Sequence, residues 1–245
     1  MGGKSRLRKT IIDKIPDHIC YVEPFFGAGW VYFGKENSEV EVINDIDSEL
    51  VNLFRMIKEH PKEVERLLNY EFISRDKFNE YKKCNIEELT EIQRAVRYLY
   101  IINNSFASKG VSFGYGALKK PCQKIFIDDL SQIRNRLKNT IVENKDVLDI
   151  IQRYDRETTF FFCDPPYLDL TGYINVFNEE NHIKLRDALS NIKGKFLLTI
   201  NDHPTIRELY KNFKMIEVVV PYSISKEKEA RKGYAELIIT NYEDK

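Results

Sequence analysis

The sequence has little of what most simply marks a binding or secreted protein. Lys and Arg number 38 and Asp and Glu number 38, so the formal net charge is zero. That excludes a chain that adheres to polyanions through bulk charge, and leaves only a local basic face. Long hydrophobic runs are missing. FLLTI (Phe196–Ile200) and VVV (Val218–Val220) are strand-sized, far short of a membrane span. The N-terminal MGGKSRLRKTIIDKIPDHIC is basic but has no apolar core of the kind a signal peptide needs. Cysteine is sparse. Cys20, Cys84, Cys122 and Cys163 are widely spaced and form no CxxC pair, which argues against a zinc site or a disulfide framework and for reduced thiols in a cytoplasmic protein. His18, His60, His182 and His203 show no metal-ligand spacing, and no metal is expected. Repeats and low-complexity linkers are absent. The 245 residues, 42% hydrophobic and 31% charged, suit one sizeable domain or one domain carrying an insertion.

The two ends of the chain share a texture. An apolar run at Tyr21–Phe25 breaks into Gly27-Ala28-Gly29, with a helix expected from about Trp30 and a strand at Glu39–Asn44. Asp47–His60 places Leu50, Val51, Leu53, Phe54 and Ile57 on one helical stripe, with Pro61 just beyond. Later, Thr158–Asp164, Gly194–Ile200, Lys214–Val220 and Tyr234–Asn241 read as strands, and Glu179–Ile192 and Pro204–Asn212 as helices. This alternation predicts an α/β fold with a mostly parallel sheet and helices on both faces. The middle differs. It holds charged helical segments such as Cys84–Ile102, then a stretch rich in Gly, Ser, Asn and aromatics, then the basic DDLSQIRNRLKN. Residues 1–54 and 146–245 are therefore expected to close into one sheet, and residues 55–145 to form an inserted, mainly helical subdomain.

The strongest chemical signal is Asp164-Pro165-Pro166-Tyr167 at the end of an apolar strand. Loops at the carboxyl ends of strands are where open α/β sheets bind ligands. The exocyclic amine of adenine is a poor nucleophile because its lone pair is delocalised into the ring. Two acceptors that hold both N–H hydrogens turn that lone pair out of the ring plane, and the Asp164 carboxylate with the Pro165 carbonyl can serve. The prolines stiffen the loop and remove competing donors. Tyr167 offers an aromatic face for a planar base.

Glu23-Pro24-Phe25-Phe26-Gly27-Ala28-Gly29 is a second signal, since glycines let backbone approach a ligand after the first strand. Tyr32 stands where the third glycine of a dinucleotide fingerprint belongs, which disfavours a pyrophosphate ligand. The third is Asn44-Asp45-Ile46-Asp47 at the next strand's end. Asp45 can accept both hydroxyls of a ribose, and Asp47 suits the N-cap of the following helix.

These motifs together resemble the Dam-like, D12-class family of DNA adenine-N6 methyltransferases, which use S-adenosyl-L-methionine. The likeness spans nearly the whole chain: Gly2-Gly3-Lys4, EPFFGAG, NDID, YLYIINNSF (Tyr98–Phe106), CDPPY and Thr199-Ile200-Asn201-Asp202-His203, in the family's order. It implies a Rossmann-like class I methyltransferase sheet with an inserted target-recognition subdomain. It implies that Asp164, Pro165, Pro166 and Tyr167 are catalytic. It further implies that Lys4 contacts the methionine end of the cofactor, that Glu23, Pro24, Phe25, Gly27, Gly29, Asp45, Ile46 and Asp164 line its site, and that Asp146 and Val147 contact its adenine. The recognition region here reads SFASKGVSFGYG, without the aromatic-Asn-Gly turn and Arg of members that read GATC, so that specificity is not implied.

The implied partner is double-stranded DNA, with the adenine flipped out because its N6 is inaccessible in a duplex. Basic groups at Lys4–Lys9 (including Arg8), Lys109, Lys119, Lys120, Arg134, Arg136, Lys138, Lys226, Lys228, Arg231 and Lys232 are candidates to contact phosphates near the DPPY segment. Asn103, Asn104, Ser105 and Ser112, with Phe106, Phe113 and Tyr115, are candidates to read or wedge bases. A cognate restriction endonuclease in the same system is a possible second partner; the sequence leaves open whether there is one or whether the enzyme is an orphan or phage-encoded, and leaves the oligomeric state open. Rival readings are an amino-methyltransferase of RNA or of a glutamine amide, and a non-catalytic DNA-binding protein that kept the fold. Aspartate at 164 and the large insertion favour DNA adenine.

Overall fold

The computed structural model describes residues 3–106, 110–115, 130–168, 177–220 and 234–243. Seven strands form a single sheet in the order β3-β2-β1-β4-β5-β7-β6. They are β1 (Cys20–Glu23), β2 (Val40–Asn44), β3 (Ile141–Glu143), β4 (Thr159–Cys163), β5 (Lys195–Asn201), β6 (Lys214–Val220) and β7 (Tyr234–Thr240). β1 pairs in parallel with β2 and β4, and β4 with β5, whereas β7 runs antiparallel to β5 and β6. The expected mostly parallel sheet is present, with an antiparallel edge. Chain order turns around between β1 and β4, and such a reversal is where open α/β sheets hold ligands at their carboxyl ends.

Strand β4 is buried at every position, as a central strand covered on both faces should be. Val22, Phe161, Cys163, Leu198 and Ile200 face one core. That core is completed by Ile150 and Ile151 of α7 (Val147–Tyr154), Leu185 and Leu189 of α8 (Glu179–Ser190) and Ile206 of α9 (Pro204–Leu209). Alternating residues Tyr21 and Phe160 pack against each other and against His18. Leu7 and Ile11 of α1 (Gly3–Ile12), a helix the sequence reading did not foresee, are also buried.

The chain divides into two compact units, Asp47–Val142 and Gly2–Ile46 with Glu143–Lys245. The inserted unit is helical: α2 (Ser48–Glu59), α3 (Pro61–Asn69), α4 (Arg75–Lys83), α5 (Glu91–Asn104) and α6 (Leu130–Leu137). Its first boundary lies ahead of α2, not after residue 54, because Leu53, Met56 and Ile57 pack with Val96, Leu99 and Leu130. Local chemistry sets the helix starts. Asp47 accepts from the Glu49 and Leu50 amides, Ser74 caps α4, and Thr90 with Gln93 makes a capping box. That box divides the single expected helix over Cys84–Ile102 into a 3₁₀ turn at Ile86–Glu88 and α5.

The segment from Trp30, expected to be a helix, forms only a 3₁₀ turn at Tyr32–Gly34. Too few residues separate it from β2 for a stable helix, and Val, Tyr, Phe and Gly are weak helix formers. Among the described residues, no helix is long and apolar enough to cross a membrane.

Candidate active site

The loop after β1 contains the conformation glycine permits. Gly27 and Gly29 both have positive φ, +50° and +64°. A Cβ placed on Gly29 would lie 2.5 Å from the Phe26 ring, whereas one on Gly27 would meet nothing within 4 Å. Gly27 therefore presents open backbone, and its amide donates to Asp45 Oδ2 at 2.8 Å. The β1 loop and the β2 tip are joined again by Asn44, a residue to which the sequence reading gave no role. Its amide donates to the carbonyls of Pro24 (2.9 Å) and Lys145 (3.1 Å), and its oxygen accepts from the Lys145 amide. Asn144 donates to the carbonyl of Asp45 at 2.7 Å. Asp146 caps α7 through the Leu148 amide, beside buried Val147, and Ile46 is exposed (55%).

At the end of β4, Asp164 meets side chains of α1 and β5, and Lys4 links it on to β7. Lys4 Nζ, from α1, lies 3.0 Å from Asp164 Oδ1 and 3.0 Å from Glu236 Oε2 of β7, and donates to the Tyr167 hydroxyl at 2.6 Å. The ammonium also sits 4.8 Å from the Tyr167 ring centroid. Thr199 of β5 donates to Asp164 Oδ1 at 3.1 Å. Both described bonds to the carboxylate thus fall on Oδ1, and the side chain stays 23% exposed. Burial raises the Asp164 pKa above the usual carboxylate value, and Lys4 pulls the other way. Glu23, at the end of β1, is buried and accepts from the Tyr21 hydroxyl at 2.6 Å. Burial pushes its pKa up to about 8, the hydrogen bond opposes this, and the Asp164 charge reinforces it.

Of the residues named as candidates from the sequence, Lys4, Asp164 and Tyr167 come together at the end of β4, and Gly27 bonds Asp45; Tyr21, Asn44 and Glu236 had been given no role. The partners of Asn44 and Glu236 are remote in sequence, and only strand adjacency brings Glu236 to the carboxyl end of β5. Thr199 was noted only as part of a motif. In that motif Asn201 donates to the Leu168 carbonyl and His203 caps α9.

The candidate base-reading residues separate. Asn104 and Ser105 are buried, and their side chains serve their own loop: Asn104 donates to the Tyr100 carbonyl, and Ser105 accepts from the Gly110 amide. Both had been expected to face a substrate; the structure turns both side chains into their own loop instead. They brace a short turn in which Ser105 bridges Phe113 and the Phe106 amide donates to the Ser112 carbonyl. Phe106 is 59% exposed on that turn. Ser112 and Arg8 are exposed, while Asn103 and Tyr115 are half-buried. Lys109, Lys119, Lys120 and Arg231 lie outside the described residues.

A model of the family described as D12 class N6 adenine-specific DNA methyltransferase matches residues 1–224. The chain is 28% identical over 270 residues to the type II methyltransferase M1.LlaDCHI of Lactococcus lactis subsp. cremoris, across 98% of this chain and 93% of that protein. It is 27% identical over 261 residues to the DNA adenine methylase of Escherichia coli (strain K12), across 97% of this chain and 91% of the relative. Among solved structures, an rRNA methylase from Streptococcus thermophilus aligns with a TM-score of 0.41 at 7% identity, over 97% of this chain and 95% of that one.

Proposed function

We propose, from the premise that the chain belongs to the D12 class of N6 adenine-specific DNA methyltransferases, that Asp164, Pro165, Pro166 and Tyr167 are the residues with which it methylates adenine N6 in DNA. The observation that carries this reading is the one-sided anchoring of Asp164. Lys4 and Thr199 both hold Oδ1, so Oδ2 keeps its accepting capacity on a fixed carboxylate.

The bound cofactor, S-adenosyl-L-methionine, supplies a methyl group made electrophilic by a sulfonium centre. The residues of the β1 and β2 loops fit such a group. Gly27 leaves room at its Cα, Asp45 is an acceptor held at a strand tip, and Ile46 offers exposed apolar surface. In this reading Lys4, Glu23, Pro24, Phe25, Gly27, Gly29, Asp45, Ile46, Asp146 and Val147 hold the cofactor. Asp164 Oδ2 and the Pro165 carbonyl accept the two N6 hydrogens and turn the nitrogen lone pair toward the donor. Rate then comes chiefly from orientation, with the carboxylate offsetting the positive charge that develops on N6. Tyr167 stacks on the base, its hydroxyl fixed by Lys4.

The substrate in this reading is duplex DNA from which the adenine is turned out. In the sheet unit Arg8 is the described candidate for DNA contact; in the helical unit they are Asn103, Ser112 and Tyr115, with Phe106 as the exposed apolar wedge. Asn104 and Ser105 support the turn rather than touch the bases. The likeness to a type II methyltransferase favours a cognate restriction endonuclease that cuts the same site.

The decisive experiment is incorporation of tritiated methyl into unmethylated DNA and into RNA, with modified positions then read by sequencing. DNA adenine labelling at a defined site is expected. Asp164→Ala should lower transfer by at least about 10³-fold while thermal unfolding stays near wild type. A folded variant that still transfers at a substantial rate refutes the catalytic assignment, and labelling of RNA in preference to DNA supports the RNA reading.

A further inference from the structure

His182 stands out in the apolar core of the sheet unit. It is fully buried on α8, whose other buried residues are Leu185 and Leu189, and neither ring nitrogen has a hydrogen-bond partner among the described residues. Leucine would fill similar space without leaving an unpaired polar group in the core. Burial pushes the imidazole pKa down to about 4, so it is neutral near pH 7 and has one N–H to give.

Its surroundings explain what that N–H is for. The backbone of Pro166 acts on the imidazole and raises its pKa against burial, which puts its carbonyl near the ring without a formed hydrogen bond. Phe177 meets His182 edge-on at 4.7 Å between centroids, and its ring also meets Phe25 of the glycine turn edge-on at 5.6 Å. Phe177 therefore links His182 to the glycine turn, while Pro166 of the DPPY segment lies beside the imidazole. Lys4 and Thr199 hold Asp164 and Tyr167 at the ends of the catalytic segment, but the prolyl backbone between them offers few handles. Pro165 and Pro166 have no N–H, so only their carbonyls can be gripped, and the Pro165 carbonyl is taken by the base. The Pro166 carbonyl is the handle that remains.

We propose that His182 is a positioning residue that donates its ring N–H to the Pro166 carbonyl when the base seats, fixing the prolyl backbone that aims the Pro165 carbonyl at N6. The proposal rests on reading Asp164–Tyr167 as the catalytic segment.

The test compares wild type, His182→Leu, His182→Asn, His182→Gln and Asp164→Ala in single-turnover methyl transfer to DNA. Cofactor KM and thermal unfolding are measured alongside. Asn and Gln carry amide donors near the positions of Nδ1 and Nε2. We expect His182→Leu to lose roughly 10–100-fold in rate with cofactor KM within about threefold, and one amide variant to recover most of the loss. His182→Leu at the wild-type rate overturns the proposal, as do two amides as slow as leucine, which would mean packing alone. If His182→Leu does not fold, His182→Met replaces it as the donor-free comparison under the same criteria. Asp164→Ala separates the two readings. If it is inactive while His182→Leu is fully active, only the role of His182 falls; if it is active, the catalytic reading falls and takes this proposal with it.

Discussion

At the scale of the residue, burial decides which charges the site carries. Glu23 has the same side chain as Glu63, yet Glu63 is exposed and paired with Arg66, which lowers its pKa, while Glu23 is enclosed and pushed up to about 8. A folded-state value above the unfolded one favours the protonated form. Glu23 is then neutral in the fold at low pH, and its burial weakens the fold progressively as pH rises from its ordinary 4.5 toward about 8. Wild-type Tm should therefore drop across that window more than the Tm of Glu23→Gln, whose neutral amide has no proton to lose. Parallel Tm–pH curves for the two proteins would show that Glu23 ionises as freely in the fold as outside it. Some residue roles were legible beforehand. An aspartate directly before an amphipathic stripe announces an N-cap, and Asp47 is one. Asn44 gave no such signal, because its bonds reach across to Lys145.

Elements obey local rules until geometry overrides them. The two glycines after β1 look alike in the sequence but differ in what surrounds them. Gly29→Ala forces a positive φ on alanine and drives its methyl into Phe26 and Phe33, at a cost of about 2–4 kcal/mol. Gly27→Ala carries only the backbone penalty, about 1–2 kcal/mol, because its methyl enters open space. If that space holds the cofactor, Gly27→Ala raises cofactor KM more than it lowers Tm, and Gly29→Ala does the reverse. Calorimetry with cofactor titration measures both, and equal Tm losses would show that the Phe26 ring yields. The strands were legible because their apolar runs ended at prolines, glycines and acids. The helix expected at Trp30 was not there, since a periodicity extends only as far as the residues available to it.

For the whole molecule, zero net charge limits how DNA is held. Among the described residues acids offset bases: Glu49 with Arg94 and Arg97, and Asp202 and Glu217 with Arg207. With so many cations already paired, affinity for DNA should fall only gently with salt. We expect a log–log slope of about −2 to −4, the release of a few counterions at roughly −0.9 per phosphate. A slope near −8, measured by fluorescence anisotropy between 50 and 200 mM salt, would reveal a basic surface larger than this pairing permits.

The sequence by itself determined the alternation of strands and helices, the presence of a helical insertion, and the DPPY, glycine-turn and NDID motifs, because each depends on neighbours along the chain. Only the tertiary structure decided that α2 belongs to the insertion, that the sheet reverses between β1 and β4, and that Lys4, Thr199 and Glu236 converge at Asp164. The reason is physical. A hydrogen bond or ion pair extends only about 3–4 Å, and residues far apart in sequence come that close only when strand pairing and core packing have folded the chain back on itself.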